Sequence, residues 1–137
     1  MTTFSKQLMT GVLALSAALV GLWATFAPHS FYDSFPLPGH HWVSPVGPYN
    51  EHLTRDVGGL YLALLVISVW AVRRPATESF RIVGLAWAVF SVPHLVFHLG
   101  HLGMYETIDK IGNVVSLGGT LILAVLLLLP TKDERRL

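Results

Sequence analysis

The sequence predicts an all-α integral membrane protein: a four-helix up-down-up-down bundle with a proline-rich outer loop between helices 1 and 2. Three observations predict it. Hydrophobic residues make up 53% of the 137 residues and charged residues only 12%, whereas soluble domains are about 25% charged. The apolar residues are gathered into four long runs, each near the roughly 20 residues that cross about 30 Å of hydrocarbon as a helix. Positive residues collect at alternate ends of those runs, as they do when a chain threads a bilayer. The expected spans cover about 8–27, 50–72, 80–103 and 109–129, within a single domain over 1–137.

Span 1, Leu8 to Ala27, is uncharged throughout. Lys6, Thr25 and Ala27 offer the outline of a cleavable signal peptide, but its apolar core is longer than the usual 7–15 residues or so, which favours a retained helix. The segment from Pro28 to Pro48 contains Pro28, Pro36, Pro38, Pro45 and Pro48. Proline fixes φ and removes donors, so this stretch cannot be one regular helix. Phe31, Tyr32, Phe35 and Trp42 make it too aromatic for a loose linker. It reads as a structured lid, or alternatively as a loop with interfacial anchors such as Trp42 and Tyr49.

Span 2 is strongly apolar only from Leu60 and reaches full length if its polar start, from about Asn50, is included. Arg73-Arg74-Pro75 ends it, and Thr77 or Ser79 is expected to cap span 3. Span 3 carries Pro93, which frees the carbonyl of Val89 and is expected to kink the helix. Span 4 follows a short connection, which makes it an antiparallel neighbour. Gly58, Gly59, Gly100, Gly103, Gly118 and Gly119 are the expected sites of close helix approach.

Seven of the nine Lys and Arg residues flank the start of span 1, the junction of spans 2 and 3, or the end of span 4. Both termini are therefore expected in the cytoplasm, with the plasma membrane of a bacterium as the location. A net charge of +1 and the lack of a basic stripe argue against nucleic acid. The absence of cysteine removes disulfides, thiolate metal sites and cysteine nucleophiles. No serine-hydrolase, zinc-protease or nucleotide-binding motif is present.

All seven histidines fall on the expected outer side. Ionisable residues inside a membrane are costly and point to function. His52 and Asp56 are four residues apart at the start of span 2, as are Glu51 and Arg55. His94, His98 and His101 share one face of span 3. Span 2 enters from outside and span 3 exits there, so the two sets occupy one slab. His52, Asp56, His94, His98 and His101 form a candidate transition-metal set, because imidazole is a general transition-metal ligand and a carboxylate completes or orients it. His52 and His98 could alternatively ligate haem iron. A metal held by neutral imidazoles would be released as pH falls through about 6.5.

The stretch Gly47-Pro48-Tyr49-Asn50-Glu51-His52, the run Arg55-Asp56-Val57-Gly58-Gly59-Leu60-Tyr61 and the later Pro93-His94…Phe97-His98…His101 resemble small uncharacterised four-span membrane proteins of actinobacterial type. In layout the chain is also similar to the DoxX-like group of four-helix membrane proteins. The resemblance implies a fold and a membrane location, and it transfers no activity and no catalytic residue. Three functions stay open: metal or haem binding in an accessory or redox role, an enzyme acting on a lipid or quinone-like substrate from the outer leaflet, and a structural subunit with a polar packing network. The lipid bilayer is the expected environment, with room for a homo-oligomer or a membrane-complex partner.

Overall fold

A computed structural model describes residues 1–131. Within them the protein is all-helical. Four long helices, α1 (Thr3–Phe26), α3 (Glu51–Arg73), α4 (Thr77–Gly100) and α5 (Thr107–Leu128), are joined by a short α2 (Pro28–Ser34) and two 3₁₀ turns. Each long helix is long and apolar enough to cross a membrane. Large apolar side chains such as Leu15, Val66, Val89 and Val115 stand exposed on all four. That surface suits lipid and not water. Of the positive residues that set the expected orientation, Lys132, Arg135 and Arg136 lie outside the described residues.

The helices run antiparallel in two tight pairs. α1 packs along α3, and α4 along α5, with lighter contact between the pairs. Glycine decides where they approach most closely: Gly58 does so as the sequence suggested, while the other close approaches fall at glycines the sequence did not single out. A Cβ on Gly58 would lie 2.6 Å from the Thr25 backbone nitrogen, and one on Gly84 would lie 2.7 Å from the Ala124 carbonyl oxygen. Gly21 packs against Leu62, and Gly112 against the Trp42 indole. Gly59, Gly100, Gly103, Gly118 and Gly119 have nothing within 4 Å of a Cβ position. Glycine in a membrane helix marks a contact only when it faces a neighbour, and that is a property of the packing.

The core unites Leu13 and Ala17 of α1, Tyr61 and Leu64 of α3, Phe80, Val83 and Trp87 of α4, and Ala124 and Leu127 of α5. α1 is thus a full member of the bundle. Lys6 reinforces this. It is fully buried, and its Nζ donates to the carbonyls of Leu127 (2.9 Å) and Leu129. A cation there satisfies carbonyls left open at the end of α5 and complements its dipole.

One local expectation is corrected. α4 starts with Ala76 in the capping position and no side-chain cap. Thr77 instead bonds Thr131 at 3.1 Å, and Ser79 is buried. Pro93 lies inside α4, which continues to Gly100. The proline-rich stretch is more ordered than its composition suggested. Pro28 opens α2 at a first-turn position where its missing donor costs nothing. Residues 27–50, the lid, then fold back over the ends of α4 and α5.

Candidate functional site

The polar residues of the lid end form two groups. One lies on α3. Glu51 and Arg55 pair at 2.9 Å, and the Arg55 guanidinium also donates to the Thr25 carbonyl. His52 and Asp56 approach to 3.5 Å, with side chains 84% and 61% exposed. Both pairs follow from four-residue spacing on a helix.

The other group joins α4, α5 and the lid. Tyr105 is its hub. Its hydroxyl donates to the Trp42 carbonyl at 2.9 Å and lies 3.2 Å from His98 Nδ1. A phenol has one proton. With that proton given to Trp42, the oxygen accepts from His98 Nδ1–H, which leaves the lone pair of His98 on Nε2. Burial raises the Tyr105 phenol above its ordinary value of 10.0, so it stays a donor at neutral pH. The Trp42 indole rests on Gly112 and donates to Asp109 Oδ1 at 2.9 Å. His40 Nδ1 meets the same oxygen at 2.6 Å. One carboxylate therefore fastens two lid residues to the start of α5.

Below this latch, His94 stacks on Phe90, with ring centroids 5.0 Å apart, and stands edge-on to His98 at 4.8 Å. Neither nitrogen of His94 has a hydrogen-bond partner among the described residues. His94 lines a groove of about 570 Å³ between α3 and α4, whose walls include Leu60, Leu64, Phe90, Pro93 and Phe97. The groove exists because α3 and α4 touch only lightly, while each packs closely on another partner.

The candidate ligand set is divided by this arrangement. His52 and Asp56 pair with each other on α3. His94 and His98 stand together on α4. His101 donates from Nδ1 to the Phe97 carbonyl at 2.7 Å and stacks on the Phe97 ring. Among the described residues no three His, Asp or Glu side chains converge on a point that could hold a metal ion. Trp42, read from sequence as an interfacial anchor, and Tyr105 are the joints of the lid. Asp109 and Asn113 also belong here. Their signal was faint: a carboxylate and an amide in the first two turns of an otherwise apolar helix.

A family described as a domain of unknown function, DUF4345, matches residues 5–98. The chain belongs to the DUF4345 family. The match takes in α1, the lid, α3 and nearly all of α4, and so contains His52, Asp56, His94 and His98. It stops before Tyr105, Asp109 and Asn113. The DUF4345 assignment brings a family and no chemistry. No curated protein and no solved structure matches the chain.

Proposed function

We propose that this protein binds a bilayer-soluble molecule with a flat polar head, of the quinone class, in the groove between α3 and α4. The observation that carries this reading is His94: an imidazole with unpartnered nitrogens, lining an otherwise apolar groove. A polar group in hydrocarbon that lacks a partner is costly. A ligand carbonyl or hydroxyl meeting His94 removes that cost. Phe90, His94 and Phe97 offer ring surfaces to a flat head, and Leu60 and Leu64 suit an apolar tail. Because the groove opens sideways, such a ligand enters from the membrane and never crosses water.

A transition metal shared by His94 and His98 is the second reading. It is favoured by the 4.8 Å between their rings and by the lone pair fixed on His98 Nε2. The wider sets from sequence, with His52, Asp56 and His101 for a metal or His52 and His98 for haem, have less support, because those residues make their contacts elsewhere. Four helices long and apolar enough to cross a membrane support the membrane setting. Elemental analysis and an absorption spectrum of the purified protein separate metal and haem from an organic ligand.

The test is a titration of the detergent-solubilised protein with decylubiquinone, read by fluorescence of its four tryptophans, with decanol as the chain control. Saturable quenching by the quinone alone is expected. His94→Phe keeps the stack on Phe90 but removes the polar edge. It should weaken binding about tenfold, as loss of one hydrogen bond worth up to about 1.5 kcal/mol predicts. Unsaturable quenching, or equal affinity in the variant, overturns the reading.

A further inference from the structure

The packed core leaves one end of the bundle. Every core member lies nine or more residues inside the lid end of its helix, Ala17 of α1 being the nearest to that end. The buried side-chain polar atoms without a partner, among the described residues, are Thr25 Oγ1, Ser91 Oγ and both polar atoms of Asn113. Thr25 and Asn113 lie between the core and the lid, and Ser91 lies at the edge of the core. Asn113 is 1% exposed and Ser91 4%.

The depth of Asn113 matches that of His94. His94 lies six residues before the end of α4, and Asn113 six residues after the start of α5. Each is about 9 Å from the lid end at helical rise. The close approach of Gly84 to Ala124 puts the two helices in register, since these residues lie sixteen and seventeen residues from the same ends. On α4, Ser91, His94 and His98 recur at intervals of three and four residues and share one face. The face that is apolar at Phe80, Val83 and Trp87 thus turns polar at Ser91, next to a helix whose buried stripe turns polar at Asn113.

A buried amide with all its hydrogen-bonding capacity unspent is costly, and its retention calls for an occupant. The set carries no formal charge, so the occupant is neutral. Asn113 offers donors and an acceptor at once, so it can both give to and take from a hydroxyl, whereas to a carbonyl it can only give.

We infer that Asn113 and Ser91 form the inner end of the His94 site and make it selective for a hydroxyl-bearing head, the quinol, over the dicarbonyl quinone. This rests on the binding reading given above and adds the chemical form of the ligand. His94 meets one end of the ring from the groove. Asn113, aided by Ser91, meets a hydroxyl on the inner side of the ring, at about the same depth.

The experiment titrates decylubiquinol and decylubiquinone, under argon in detergent, against the wild type, Asn113→Leu and Ser91→Ala. Thermal unfolding of each is measured without ligand. The wild type should bind the quinol about tenfold more tightly, the effect of leaving one buried acceptor unpaired in the quinone complex. Asn113→Leu should raise the unfolding temperature of the ligand-free protein and erase the preference. Ser91→Ala, which removes only an oxygen, should reduce the preference without lowering stability. A lower unfolding temperature in Asn113→Leu with the preference intact would show that the amide is a packing group, and would overturn the inference while leaving the His94 reading in place. Equal binding of the two forms by the wild type does the same. Failure of the wild type to bind either form removes both.

Discussion

Tyr105 shows how much one hydroxyl can organise. It accepts a hydrogen bond from His98 and donates one to the Trp42 carbonyl, so it couples the histidine pair of α4 to the lid. Tyr105→Phe keeps the buried ring and deletes both bonds. Stability should fall by about 1–3 kcal/mol, the cost of leaving a buried partner unpaired. The pH dependence has a definite sign. The folded protein raises the Tyr105 phenol above 10.0, so the folded state holds that proton more tightly than the unfolded chain. The contribution is complete below the unfolded value of about 10 and is lost as pH rises through the folded value. Unfolding in detergent from pH 7 to 11 should therefore show the wild type losing its advantage over Tyr105→Phe at the alkaline end. A constant gap across that range would mean that the Tyr105 phenol titrates alike in the folded and unfolded states.

At the scale of the helices, contact depends on which glycine faces a neighbour. Gly84 and Gly119 make the contrast. A Cβ on Gly84 meets the Ala124 carbonyl oxygen at 2.7 Å and Leu127 Cβ at 3.0 Å, while Gly119 has open space. Backbone cannot yield as a flexible side chain can, so Gly84→Ala must push α4 and α5 apart. It should cost about 1–3 kcal/mol, as overpacking does. Gly119→Ala should be neutral or stabilising by up to about 1 kcal/mol, because alanine is the better helix former. Thermal unfolding of the two variants decides the point, and equal effects would refute the packing of α4 on α5 described here. The lid obeys the same logic. Its position depends on Gly112, whose missing side chain admits the Trp42 ring, and on Asp109, which accepts from both Trp42 and His40.

The whole molecule is divided by depth. The end bearing the α3–α4 hairpin is tightly packed around Phe80, Val83, Trp87 and Leu127 and closed by the buried Lys6. The lid end carries His94, His98, Asn113 and the polar start of α3. A bundle built this way has an apolar, closely packed base and a more polar lid end. Seven of nine positive residues favour the base side for both termini. Reporter fusions at the C-terminus and near Gly39 should accordingly report cytoplasm and exterior. A C-terminal reporter found outside would invert the molecule and place the lid in the cytoplasm.

The sequence alone determined that four apolar helices form this protein and which pairs within a helix meet. Apolar run length sets a span, and three- or four-residue spacing sets a face. Glu51 with Arg55, His52 with Asp56, and the shared face of His94 and His98 were all legible for that reason. Residues on different helices obey no such spacing. That His98 turns to Tyr105, that Trp42 settles on Gly112, and that Asn113 is buried with no hydrogen-bonding partner among the described residues all depend on helix rotation and on the path of the lid. Those are fixed by the joint packing of the whole bundle, and only the tertiary structure decided them.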